Sequence, residues 1–174
     1  MTHKVVRYLN NANLEKPAEP VTEFDTPELH QLIDDMFETM YASRGLGLAA
    51  PQIDIHKRLT VIDTSGGEKD VEPNKVVLIN PEIIFKEGKQ TGEEGCLSIP
   101  GFREDVRRHK RVKVRAHNVK GEVFEIDGED LMARAMQHEI DHLNGILFLA
   151  HLSPLKREVI KRKIKKLIQA GEWD

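Results

Sequence analysis

Cysteine is almost missing from this chain: Cys96 is the only one, so no disulfide can close within it. A lone thiol is most often a small buried hydrophobe, but beside a histidine cluster it becomes a candidate ligand or nucleophile. Long apolar runs are also missing, and none approaches the ~18 to 20 residues that a membrane-spanning helix needs. The opening MTHKVVRYLN has neither the apolar stretch nor the small-residue cleavage site of a secretory signal. Glu15 and Glu19 follow too early for an organelle transit segment. These absences lead us to expect a cytoplasmic protein. No repeat and no low-complexity linker interrupts the chain, so residues 1–174 are expected to form one domain. The net charge of −3 singles out no partner class, although 153–170 is strongly basic.

The balance of 39% hydrophobic and 32% charged residues is that of a globular chain. A first helix is expected from FDTPELHQLIDDMFETMYASRG, with Asp25 or Thr26 as cap and Pro27 in the first turn. Leu29, Leu32, Ile33, Met36, Phe37, Met40 and Tyr41 recur on one face, and Gly45 is placed to stop it. Strands are expected at 59–63, at 75–86 with a break at Asn80-Pro81, at 111–116 and at 122–126, all rich in Val and Ile. HNVKG reads as a hairpin loop, and Gly66-Gly67 as exposed loop. A second helix follows Gly128 and runs to Gly145, carrying Leu131, Ala135, His138 and His142 on one face that is expected to look into the core. A third follows Ser153 and Pro154. The sum is an α+β fold, with antiparallel strands packed around a central metal-binding helix and a C-terminal helix.

QHEIDHLNG carries the chemistry. On a helix, His138 and His142 stack one turn apart, so two imidazoles can grip one divalent ion while Glu139 takes a proton from water at that ion. A catalytic metal usually has three protein ligands and an open position, so a third ligand is required. The extended form of the motif, with another histidine after the glycine, is closed off because Phe148 stands there. His151 lies past the helix end, and Glu158 sits in a basic segment. GEEGCLSIPG offers Cys96, whose thiolate would set one negative charge against two on the ion. Taken alone, Cys96 would read as a buried structural thiol. GLGLAAPQ adds glycines that let backbone approach a ligand, and Gln52 as a neutral amide donor. No phosphate-loop lysine follows it, so a nucleotide site is not supported.

Together, GLGLAAPQ, EGCLS and QHEIDHLNG, in this order, resemble the three signature motifs of peptide deformylases of bacterial type, and the likeness covers nearly the whole chain. The resemblance implies a metal-dependent hydrolase that removes the N-formyl group from the formylmethionine of nascent polypeptides. Carried over to these positions, Cys96, His138 and His142 are the metal ligands and Glu139 is the general base, then the general acid. Gln52 and the Leu97 N–H stabilise the oxyanion, and Leu46, Gly47 and Gly95 pair with the substrate backbone. Arg103 is expected at the cleft. The implied metal is Fe²⁺, with zinc or nickel as substitutes. A narrow site would admit formyl, the smallest acyl group, and exclude acetyl. The chain departs from the family pattern near its start, where NNANLEKPAEPV places Glu15 at a commonly basic position. Arg44 stands where some relatives carry an acid, which bears on preference beyond methionine.

Lys156, Arg157, Lys161, Arg162, Lys163, Lys165 and Lys166 crowd the last helix opposite Val159, Ile160, Ile164, Leu167 and Ile168. The plain reading is a solvated face; the functional one is docking on ribosomal RNA. No DNA or membrane partner is expected, and a monomer is the default. Two rivals stand beside deformylation. A metallopeptidase or amidase of another substrate class would cleave unformylated peptides. A non-catalytic binder would be expected to have lost Glu139 or a ligand, and this chain has lost neither.

Overall fold

The computed structural model describes residues 1–174. An extended N-terminal segment and a 3-10 turn at Ala12–Glu15 lead to α1, Pro27–Ala42. Thr26 Oγ1 accepts the Leu29 N–H at 3.1 Å, and Pro27 takes a position where no N–H is needed. Leu29, Ile33, Met36, Phe37 and Met40 form the buried face, as their spacing foretold. The helix ends differently from expectation. Arg44, not Gly45, adopts the left-handed conformation, at φ +58°. Gly45 matters for space instead: a Cβ there would lie 2.8 Å from Leu97 Cδ1.

The strands follow as β1 (Gly47–Ala49), β2 (Leu59–Asp63), β3 (Lys75–Glu87), β4 (Gln90–Cys96), β5 (Ile99–Arg108), β6 (Arg111–His117) and β7 (Val123–Glu129). A 3-10 turn, Ala50–Ile53, joins β1 to the segment before β2. Then come α2 (Asp130–Leu143), a 3-10 turn (Phe148–His151) and α3 (Pro154–Gln169). Every strand pair is antiparallel, in a five-stranded sheet ordered β1-β2-β3-β6-β7 and a separate β4-β5 hairpin. The architecture is α+β with a C-terminal helix, as read from the sequence. No helix is long and apolar enough to cross a membrane.

Two strand expectations change. Asn80-Pro81 does not break β3; the pair forms a bulge and pairing resumes at Glu82↔Arg115. Asn80 sits at φ +51°, and its amide bonds both the N–H and the C=O of Val21, which holds the bulge against the N-terminal segment. The second change is the β4-β5 hairpin. It spans a polar stretch with no Val/Ile run, so propensity concealed it.

The stripe of α2 also faces otherwise than expected. Leu131 is 48% exposed, and Ala133, Met136, Ile140 and Leu143 form the buried face instead. These two stripes lie about half a turn apart on a helix, given ~100° per residue. Ala133, Met136 and Ile140 share a core with Ile62, Leu78, Val112, Val114 and Ala116 of the sheet. The ligand-bearing stripe is left to face the hairpin. A second core joins α1 to β1 and β2, and a third gathers Ile160 and Ile164 of α3 with Tyr8, Ile99, Val106, Phe148 and Trp173.

Asp63, at the end of β2, is fully buried and ties the loop that follows. It accepts hydrogen bonds from Ser65 N–H (2.9 Å), Ser65 Oγ (2.6 Å), Asn74 N–H (3.0 Å) and the Tyr41 hydroxyl. Burial alone would raise its pKa, but the bonds from Ser65, Tyr41 and Asn74 outweigh it and bring the carboxyl down to about 2. A depressed folded-state pKa contributes stability that is present above the unfolded value near 4 and fades as pH falls toward 2. Asp63→Asn should therefore cost about 1 to 3 kcal/mol at neutral pH. Its deficit should shrink between about pH 4 and pH 2 when urea midpoints of the two proteins are compared.

Candidate metal centre

Cys96 is the last residue of β4, and His138 and His142 lie on the stripe of α2 that faces the hairpin. The hairpin brings the thiol over that stripe. Cys96 Sγ lies 3.3 Å from His142 Nε2, and the three donor atoms fall within 4.8 Å of one another. A tetrahedral ion with ligands at about 2.0 to 2.3 Å needs its donors about 3.5 Å apart, so the cluster fits one divalent ion. His151 and Glu158 lie elsewhere: His151 Nε2 pairs with Asp141 at 2.8 Å, and Glu158 is exposed on α3.

Glu94 orients the first histidine. Its Oε1 lies 2.9 Å from His138 Nδ1, which assigns the proton to Nδ1 and leaves Nε2 bare for a ligand bond. Glu94 is itself buried, and two guanidiniums hold it. Arg108 donates from Nε and Nη2 at 2.9 Å each, and Arg134 from Nη1 at 2.5 Å. Burial opposes the charge on Glu94, but Arg108 and His138 prevail and keep its carboxyl well below the usual range. Arg108 reaches on to Asp141 at 2.6 Å, which ties the same network to the far side of α2.

The two imidazoles sit in opposite fields. Burial first, then the charges of His138 and Arg108, hold His142 well below its ordinary pKa, so its lone pair is free at neutral pH. Burial also works against a charged His138, but bonds to Cys96 and Glu94 and the charge of Glu139 raise it to about 10. The pocket between thiol and rings thus favours a positive charge, which a divalent ion supplies in place of the proton.

Glu139 points from α2 toward β1. It is 4% exposed, and burial raises its carboxyl to about 7 despite the nearby His138 charge and Thr60. A carboxylate poised there can both take and return a proton at neutral pH. Gly47 leaves room for it, since a Cβ at that residue would lie 2.7 Å from Glu139 Oε1. Gln52, in the 3-10 turn after β1, is oriented by the Ala49 N–H, which donates to its Oε1 at 3.0 Å. Its Nε2 consequently points at the centre, 3.5 Å from Cys96 Sγ and 3.3 Å from Ser98 Oγ. The Leu97 N–H, at the tip of the hairpin, has no acceptor within the chain, and Leu97 lines the same cleft. Leu46, Gly47, Gly95 and Arg103 all line the cleft that opens from the centre, and Arg103 is exposed and paired with Glu93 at 2.5 Å.

A family model for polypeptide deformylases matches residues 3–158. The chain belongs to the polypeptide deformylase family. A peptide deformylase of Acidobacterium capsulatum is 58% identical over 173 residues, covering 99% of each chain. The crystal structure of a peptide deformylase from Legionella pneumophila has a TM-score of 0.88 at 46% identity, over 100% of this chain and 99% of that one. The corresponding structure from Thermus thermophilus has a TM-score of 0.84 at 38% identity, over 94% and 93%. This chain is therefore an enzyme that removes the N-formyl group from nascent polypeptides, and its family implies a catalytic metal.

The sequence reading left out the groups behind the ligands: Glu94, Arg108, Arg134, Ser98 and Thr60. A signal for two of them was present. Glu94 and Cys96 stand two apart on a strand, and Arg134 and His138 four apart on a helix, so each pair shares a face. Replacing the carboxylate in Glu94→Gln should lower metal affinity by about 10- to 100-fold. Competition with a chelator on folded protein measures it, and unchanged affinity would remove Glu94 from that role.

Proposed function

We propose that Cys96, His138 and His142 hold the catalytic ion and that Glu139, Gln52 and the Leu97 N–H carry out deformylation on the substrate bound beside it. The observation that carries this reading is the convergence of three candidate metal donors, a buried carboxyl near pKa 7, the Gln52 amide and the unpaired Leu97 N–H at one cleft. Thiolate, imidazole and an open position suit Fe²⁺, with zinc or nickel able to occupy the same donors. Bound there, the ion would ease the loss of a proton from water and draw charge from the formyl oxygen.

The chain's own groups do the rest. The formyl oxygen is received by Gln52 Nε2 and the Leu97 N–H, which are fixed before substrate arrives and so need no reorganisation as charge builds. Glu139 takes a proton from the attacking water as oxygen bonds to the formyl carbon. It returns that proton to the methionyl nitrogen as the C–N bond breaks, which releases formate and a free amine. Leu46, Gly47 and Gly95 line the path of the peptide backbone. β1 pairs only with β2, so its outer edge is available to an extended chain. Exposed Leu131 and half-buried Ala135 offer apolar surface to the methionine side chain.

We assign the whole of 1–174 to one deformylase domain acting as a cytoplasmic monomer. The basic α3 would dock on the ribosome, since Ile160 and Ile164 anchor its inner face while the lysines and arginines stay outward. Charge reversal at Lys161, Lys163 and Lys165 should abolish co-sedimentation with ribosomes while leaving turnover of short peptides intact. Unchanged sedimentation would remove docking from α3.

The direct test is formate release from formyl-Met-Ala-Ser by protein prepared without oxygen. Release should vanish with a chelator. Glu139→Ala should lose about 10²- to 10⁴-fold in kcat, and Gln52→Ala about 10²- to 10³-fold. A Glu139→Ala variant that keeps its rate would overturn the assignment.

A further inference from the structure

Charge around the cleft is paired on all but two cations. The cleft has a volume of about 840 Å³ and collects Lys4, Arg7, Arg44, Arg103 and Arg134 along its walls. Lys4 is paired with Asp174 at 3.3 Å, Arg103 with Glu93 at 2.5 Å and Arg134 with Glu94 at 2.5 Å. Arg7 donates only to carbonyls, those of Val5 at 3.2 Å and Leu97 at 3.0 Å. The exposed Arg44 side chain has neither a carboxylate nor a hydrogen-bond partner. The left-handed turn at Arg44 is what sends the chain from the end of α1 into Gly45, Leu46 and β1, so this free cation lies on the wall that leads to Glu139.

Its distance from the reacting end is bounded by the length of chain between them. Gly47 abuts Glu139, which places the formyl end of a bound peptide beside that residue. Arg44 is three residues upstream, so at no more than ~3.3 Å per residue its backbone lies within roughly 10 Å of Gly47. A peptide that meets the free edge of β1 at Gly47 and runs antiparallel to the chain passes Leu46 and Gly45 along the cleft wall on its way to Arg44. Its first two residues after methionine cover that distance. On the reading of this cleft as the formyl-peptide site, we propose that Arg44 selects nascent chains carrying Asp or Glu within the first two residues after formylmethionine.

Such a contact lies too far from the formyl carbon to change between ground and transition state, so it should act on KM rather than kcat. An exposed ion pair of this kind corresponds to about a threefold effect at low ionic strength, fading as salt screens it. The experiment compares kcat/KM for formyl-Met-Ala-Ser amides bearing Asp, Ala or Lys at the second or third position, with wild type, Arg44→Lys, Arg44→Gln and Arg44→Glu. Wild type and Arg44→Lys should favour Asp over Lys about threefold, Arg44→Gln should favour neither, and Arg44→Glu should reverse the order. Equal kcat/KM for all three side chains at low salt would overturn the proposal, as would an acid preference that survives Arg44→Glu. Absence of formate from every peptide would instead bring down the assignment of the cleft, and this proposal with it.

Discussion

One buried carboxylate holds the centre together. Glu94 is in the hairpin, Arg108 is in its other strand, and Arg134 and His138 are on α2, so a single side chain spans the gap between hairpin and helix. A buried ion cluster of this kind brings little net stability, because removing its charges from water costs about as much as their attraction returns. What it supplies is orientation. These groups can satisfy Glu94 together only when the hairpin sits at one height on α2, and at that height Cys96 lies over His142. The register of β4 against β5 therefore sets the position of the third candidate ligand, Cys96, which stands far upstream in sequence from the two histidines.

How much of this could be seen in the sequence depended on which forces shaped each piece. α1 and α3 were legible because capping residues and apolar spacing act locally, and Thr26, Pro27, Ser153 and Pro154 stand where they were read, whereas α2 has no side-chain cap and showed itself through the helical spacing of its histidine stripe. β2, β6 and β7 announced themselves through Val and Ile. β4 and β5 did not, because two of their four buried positions are Glu94 and Arg108, whose burial is made tolerable by partners far away in sequence, and the other two, Ile99 and Val106, stand too far apart to form an apolar run. The same cause hid the orienting network while leaving the ligands visible. A motif at fixed spacing records what the metal demands, whereas a salt-bridge cluster records only the fold. The core-facing side of α2 was misread for a related reason: its histidine stripe is the more regular one, but it runs from exposed Leu131 to buried His142, while Ala133, Met136 and Ile140 pack on the sheet.

The glycines of the first motif also serve a purpose other than the flexibility their type suggests. Neither Gly45 nor Gly47 adopts a positive φ. Each is a place where another side chain comes into contact with bare backbone, Leu97 at one and Glu139 at the other. The outer edge of β1 is thereby left smooth while the hairpin tip and the Glu139 carboxyl come close to it. An edge strand that short, ended by a 3-10 turn, also offers little length for unwanted pairing with another chain.

The only cysteine of the chain cannot form a disulfide, yet it stands at one end of a cross-link of another kind. An ion shared by Cys96 and His142 would join residues 46 apart in sequence, across the whole of β5, β6 and β7. A covalent tie over such a span restrains the unfolded chain by about 4 kcal/mol. A coordinate tie acts in the same sense, and only when its ligands are assembled. The unfolded chain would thus pay in loop closure for every ion it kept, so an ion held by these donors would also be a clasp on the topology. Stripping it would loosen the hairpin from α2 first, since that is the one junction the clasp spans.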